Sequence, residues 1–214
     1  MVGQGVVAEC LESSDVESIL LIGRSESGLQ HPKLREICQP DLRDLEAISE
    51  ELTGFDACYF CLGTGSSGVS EEDYRRINLD ITLSVGKLFS RINPQMTFVY
   101  ISGAGAGRDK RAMWARVKGE VEEALLDLPF KAAYMFRIGY VKPGPGIKSR
   151  TKSTRVMYGL FAPLYPLLKL IFRDALTTTE QVGKAMIAVS ENGYSMPLMG
   201  NRNINEAASA RKAA

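Results

Sequence analysis

Ser102 and Lys118 are the two residues of this 214-residue chain whose types and spacing best suit catalysis. Ser102-Gly103 closes the apolar run TFVYIS, and Lys118 follows sixteen residues later, early in an amphipathic stretch. A hydroxyl at a strand end with a lysine on the next helix suits carbonyl–hydride chemistry. The hydroxyl steadies a carbonyl oxygen, while the ammonium binds a ribose and lowers the pKa of a phenol acid. That phenol belongs four residues before the lysine, on the same helix face. Trp114 stands there instead, and an indole has no acidic proton to give. Tyr140, just past a later apolar run, is the nearby phenol to nominate as acid. A lysine on a solvated helix face is the bland alternative, and these residues alone leave it open.

Other motifs are weaker. Gly63-Thr-Gly65-Ser-Ser-Gly68 fits G-x-G-x-x-G between a strand and a helix, a pattern that lets backbone approach a pyrophosphate. It would also serve as the glycine loop of an S-adenosylmethionine methyltransferase. The next strand ends in Ser-Gly, with no acid placed for a ribose hydroxyl, so a crossover lying beside a cofactor is the better reading. Cys58-x-x-Cys61 suggests redox or metal chemistry, yet strand positions three apart face opposite ways, and no second pair completes a zinc site. The expectation is two small core residues and no metal. Arg24 ends the run ILLIGR, where a basic residue favours the 2′-phosphate of NADP over the bare ribose of NAD.

The elements that must position these groups follow from periodicity. Ser18–Gly23, Ala57–Leu62, Thr97–Ser102 and Ala132–Ile138 are short apolar runs that read as strands buried on both faces. Leu34–Cys38 is a weaker fifth. Between them, residues 71–92 and 113–127 carry apolar side chains at helical spacing, with Ser70 as a cap for the first. A further capped helix is expected over Thr177–Asn192, behind Thr178 or Thr179, and then a polar, frayed ending. Strand–helix alternation predicts one doubly wound α/β domain over residues 1–214. Composition is that of a soluble globular chain, 45% hydrophobic and 24% charged, and a net charge of +1 argues against a nucleic-acid partner. A single histidine, His31, excludes a multi-histidine zinc site. Four cysteines without a secretory leader suggest reduced thiols and a cytoplasmic setting.

Residues 140–173 hold seven Lys or Arg and no acid, and contain an uncharged run, Val156–Leu168, broken by Pro163 and Pro166. The run is too short to cross a bilayer. The expectation is a helical substrate-side cap over 140–176; a peripheral membrane contact through 148–173 is the sharper alternative.

Arg24 after the second-strand pattern, Pro40-Asp41-Leu42, Cys61-Leu62-Gly63, Tyr100-Ile-Ser102-Gly103 and Trp114-x-x-x-Lys118-Gly119, taken in order, resemble the atypical short-chain dehydrogenase/reductases. This is the NAD(P)-binding, epimerase/dehydratase-like group, and the similarity is to its Tat-interacting-protein-like oxidoreductase branch. The resemblance covers essentially the whole chain. It implies a Rossmann-type parallel sheet, NADP or NAD as cofactor, a small-molecule carbonyl or alcohol substrate, and a Ser–Tyr–Lys catalytic set. Carried over, Arg24 contacts the adenosine 2′-phosphate, Asp41 and Leu42 flank the adenine, and Leu62 and Gly63 lie along the cofactor. Ser102 and Lys118 fill two catalytic positions.

This sequence departs from the group in two places. Trp114 replaces the tyrosine acid, so a non-catalytic, NAD(P)-binding regulatory or partner-binding protein is the alternative to an enzyme. The phosphate-binding run of the group, TGATGxxGxx, is matched only by Gly3 at its third glycine. The expectation is therefore a sheet lacking its first strand and part of the glycine-rich turn. Met1 would then be an internal methionine of a longer product that starts about ten residues earlier. The missing strand would sit at the sheet's centre, and its loss would outweigh the ~5–15 kcal/mol that holds a domain together.

Overall fold

The computed structural model describes residues 1–144 and 176–210. Helix α1 (Val2–Glu12) opens the chain, followed by β1 (Ile19–Gly23), β2 (Leu34–Cys38), a 3-10 turn (Glu46–Leu52) and β3 (Ala57–Phe60). A nearly continuous helical run comes next: α2 (Glu71–Arg75), a π turn (Arg76–Asp80) and α3 (Ile81–Ile92). Then come β4 (Thr97–Gly103), α4 (Met113–Leu126), β5 (Ala132–Ile138), β6 (Tyr140–Lys142), β7 (Leu176–Thr178), α5 (Thr179–Asn192), β8 (Leu198–Gly200) and α6 (Asn201–Ala210). The five expected strands are all present, and the caps act as expected. Ser70 Oγ accepts from the Asp73 amide at 3.1 Å, and Thr178 Oγ1 from the Gln181 amide at 3.1 Å.

Among the described residues every ladder is parallel. β1 pairs with β2, Ile19 opposite Leu34. β3, β4, β5 and β8 form a four-stranded sheet in that order, and β6 pairs with β7. Side chains alternate across these strands, so each core strand feeds two layers. Val99 and Phe136 pack with Val6 of α1, Met186 of α5 and Ile204 of α6. Phe98, Tyr100 and Met135 pack with Leu88 of α3 and Val121 and Leu125 of α4. Helices on both faces of a parallel sheet make a doubly wound, Rossmann-type fold.

Two expectations need correcting. β1 was expected to be buried on both faces, but all its residues are only half-buried, because among the described residues β2 alone pairs with it. The ending is not frayed through residue 210: Ile204, Ala207 and Ala208 recur at helical spacing and are buried, which anchors α6. Gly3, matched to the third glycine of the phosphate-binding run, lies inside the first turn of α1. The cap expected over 140–176 falls outside the described residues except for 140–144 and Leu176, and the membrane contact over 148–173 falls wholly outside them. Among the described residues no helix is long and apolar enough to cross a membrane.

Candidate functional site

Strand alternation turns Phe98, Tyr100 and Ser102 toward α4, which brings Lys118 and, one turn on, Glu122 to the same place. β5 sets Arg137 directly opposite Ser102. The Lys118 Nζ donates to the Ile101 carbonyl at 3.0 Å and to the Tyr100 hydroxyl at 3.1 Å. It also lies 4.9 Å from the centroid of the Tyr100 ring, a cation–π distance. Burial pushes the Lys118 ammonium down to about 8, against the Glu122 carboxylate, which raises it. Tyr100 is 1% exposed, and burial raises its phenol far above the usual range, so it stays a neutral hydroxyl.

Ser102 is buried, and its Oγ has no hydrogen-bond partner among the described residues. Leaving a buried hydroxyl unsatisfied costs about 1–3 kcal/mol, so the group calls for an external partner. A Cβ added to Gly103 would lie 3.0 Å from the Trp114 ring and 3.7 Å from Lys118 Cδ. The indole and the lysine stem therefore clasp the strand next to that hydroxyl. Gly119 lets α4 approach closely, since a Cβ there would come within 2.5 Å of the Gly107 backbone.

The remaining candidates sit where parallel strands end, the usual ligand edge of such sheets. Gly3 presses on the residue after β3, a Cβ there lying 3.2 Å from Cys61 Cβ; close helix–strand packing is the role of a third glycine. Arg24, directly after β1, is exposed and makes no ion pair among the described residues. Asp41, past β2, is exposed, and hydrogen bonds from Arg43 hold its carboxyl down at about 2. Leu42 packs its side chain into the core, leaving its backbone for any contact. Leu62 and Gly63 directly follow β3. Tyr140 lies in β6, three residues beyond Arg137, and its carbonyl accepts from Asn201 at 3.4 Å.

Two groups at this edge went unnoticed in the sequence. Glu122 and Arg137 form a two-pronged ion pair, Nε–Oε1 3.0 Å and Nη2–Oε2 2.6 Å, with the Glu122 side chain 3% exposed. The signal was an acid one turn after Lys118 on the core-facing side of the helix. Asn78, on the π turn, is also buried; its Oδ1 accepts from the Thr64 amide at 3.3 Å, and a Cβ on Gly63 would come within 3.0 Å of it. It holds the turn that carries Leu62 and Gly63. Cys58 and Cys61 are free thiols facing different core layers, with burial raising both, Cys61 to about 12. Both behave as small core residues.

No protein-family model matches the chain. Solved structures share its fold across nearly its whole length. The Bordetella bronchiseptica enzyme WbmF, in complex with NAD+, superposes with a TM-score of 0.64 at 15% identity, over 97% of this chain and 73% of that one. A UDP-N-acetylglucosamine 4-epimerase from Methanobrevibacter ruminantium gives a TM-score of 0.70 at 15% identity, over 94% and 72%. The chain therefore shares the Rossmann-type fold of these enzymes.

The sequence relatives point the same way. Rat protein HTATIP2 is 25% identical over 139 residues, 64% of this chain and 57% of its own length, so the match spans little more than half of that relative. Leucinostatins biosynthesis cluster protein T of Purpureocillium lilacinum and the mitochondrial protein FMP52-2 of Scheffersomyces stipitis are each 27% identical, over 87% of this chain and 80% of theirs. The resemblance to the Tat-interacting-protein-like branch is borne out by these relatives.

Proposed function

We propose that this chain is an NADP-preferring oxidoreductase acting on a small organic carbonyl or alcohol. The observation that carries this reading is the buried, partnerless Ser102 hydroxyl beside the Lys118 ammonium, at the ligand edge of the sheet. A dinucleotide fits the residues there. Gly3 would let its backbone come close, Arg24 would meet a 2′-phosphate, Asp41 and Leu42 would flank the adenine, and Leu62 and Gly63 would run along it. Lys118 would hold the nicotinamide ribose. Bound there, the nicotinamide supplies or accepts the hydride. Ser102 donates to the carbonyl oxygen and fixes its direction, while Lys118 puts a positive charge beside the oxygen as it gains negative charge. Tyr140 is the nominated proton donor.

Trp114 favours a second reading, a cofactor-binding regulatory protein without turnover, because its indole fills the place of the phenol acid. A cytoplasmic location belongs to the first reading. Titration with NADPH and NADH, followed by turnover on a panel of carbonyl substrates, separates the two readings. Binding that prefers NADPH, loses that preference in Arg24→Ala and leads to turnover supports the enzyme. Binding without consumption supports the regulator. A folded chain that takes neither nucleotide overturns both.

A further inference from the structure

Lys118 wraps around Ser102. Its stem crosses β4 at the residue after the serine, since a Cβ on Gly103 would lie 3.7 Å from Lys118 Cδ. Its Nζ reaches back to the residue before, donating to the Ile101 carbonyl at 3.0 Å. The Tyr100 hydroxyl accepts a second hydrogen at 3.1 Å, on the strand face that Ser102 shares. An ammonium has three hydrogens to donate, and the third has no acceptor among the described residues. Ser102 is 4% exposed, and its Oγ is likewise without a partner there. Two unsatisfied polar groups, one of them charged, are thus set around one residue at the ligand edge of the sheet. Trp114, one turn before Lys118, fills the place of a phenol acid with an indole that has no acidic proton. Tyr140 belongs to β6, which among the described residues pairs with β7 and not with the strands that carry Ser102 and Arg137.

We propose that Lys118 itself gives the proton to the carbonyl oxygen, and that Tyr100 is the positioning residue that aims its ammonium beside Ser102. This rests on the oxidoreductase reading and supplies its proton in place of Tyr140. In reduction, the carbonyl carbon takes a hydride, with its electron pair, from the dihydronicotinamide. The carbonyl π pair moves to the oxygen, which takes a proton from Nζ while Ser102 Oγ donates to it. The N–H pair stays on nitrogen, leaving a neutral amine that regains its proton from water. Burial, opposed by the Glu122 carboxylate, holds the ammonium at about 8, near the pH at which an acid both carries its proton and releases it. The groups around it are Tyr100 on β4, Tyr74 of α2 near that phenol, Glu122 one turn along α4, and Arg137 on β5, which engages Glu122. With Glu122 held by Arg137, no carboxylate among the described residues hydrogen-bonds the ammonium, so its proton stays free to leave.

The test separates proton donation from cofactor binding. The chain as it stands, Lys118→Arg and Tyr100→Phe are compared with saturating NADPH and a panel of small aldehydes and ketones. An arginine keeps the positive charge but holds its proton across the working range. Lys118→Arg is therefore expected to bind NADPH within about threefold of the original chain while kcat drops at least about 100-fold. In the original chain kcat should fall as pH rises past about 8, and this fall should be missing from the residual turnover of Lys118→Arg. Tyr100→Phe should lower kcat about tenfold with NADPH affinity unchanged. One readout needs no nucleotide: the Lys118 ε-carbon resonance should titrate near about 8 in the original chain. In Tyr100→Phe it should titrate lower, because that variant loses an acceptor that favours the charged form. The pH profile and the resonance decide even if the arginine does not fit. A kcat that falls only near about 10, the ordinary range of a phenol, overturns the inference while the oxidoreductase reading stands, and so does undiminished kcat in Lys118→Arg. A chain that turns over none of the panel overturns both.

Discussion

Strands β4 and β1 are built from comparably apolar runs, yet only the first lies in a closed interior. Phe98, Val99 and Met135 are 0% exposed, while every residue of β1 is half-buried. The difference lies in neighbours rather than composition: β4 has strands on both sides and helices on both faces, whereas β1 has one strand partner among the described residues. The proposed chemistry follows the same division. Ser102, Lys118, Tyr100, Glu122 and Arg137 all belong to the closed half. Arg24 and Asp41, proposed for the adenosine end of the cofactor, lie on exposed ends of the open half.

Truncating a core side chain in each half is the severest test of this contrast. Phe98→Ala should cost about 3–5 kcal/mol, and Ile22→Ala about 1 kcal/mol, read from urea denaturation midpoints. Equal losses would mean that β1 is as enclosed as β4. Arg137→Leu comes next, because it leaves the buried Glu122 carboxylate without its partner; a loss of about 3 kcal/mol is expected.

Titration of Lys118 has a smaller effect. Its folded-state pKa, about 8, is below the ordinary 10.5, so between those values the unfolded chain binds more protons. The burial penalty of the ammonium is therefore fully present below pH 8 and fades as pH rises toward 10.5. NADPH affinity should run the other way, falling as the pH passes 8, where the charge is lost. Affinity that stays flat across that pH would remove the charged lysine from cofactor binding. Tyr100→Phe should cost about 1 kcal/mol for its hydrogen bond to Lys118. Ser102→Ala is the mildest and has the opposite sign: removing an unsatisfied buried hydroxyl should leave stability unchanged or raise it by up to about 1 kcal/mol while abolishing turnover. A destabilised Ser102→Ala variant would show that the hydroxyl already has a partner in the fold.

Much of the fold was legible because strand and helix periods are local signals. The β5 run, Ala132–Ile138, and the Ser70 and Thr178 caps could be read from short windows of sequence. Burial of β1 could not, since SILLIG reads the same whether its second edge is covered or open. Helix α6 was misread because its run is rich in Asn and Ala, and its few apolar contacts matter only once α5 packs on it. In the candidate site, Ser102 and Lys118 were visible through spacing. Their surroundings were not, because Tyr100, Glu122 and Arg137 meet only when β4, β5 and α4 stack. Asn78 was hidden for the same reason: its partner, the Thr64 amide, is fourteen residues away.

The most direct measurement uses Trp114, the only tryptophan in the chain, which lies against Gly103 at the proposed nicotinamide end. Its emission is followed during NADPH titration of the chain and of its Lys118→Ala variant. Saturable quenching by energy transfer to the dihydronicotinamide, with affinity at least about tenfold weaker without Lys118, is the predicted result. A folded chain that shows no quenching, or equal quenching with and without the lysine, would contradict a dinucleotide site built around Ser102 and Lys118.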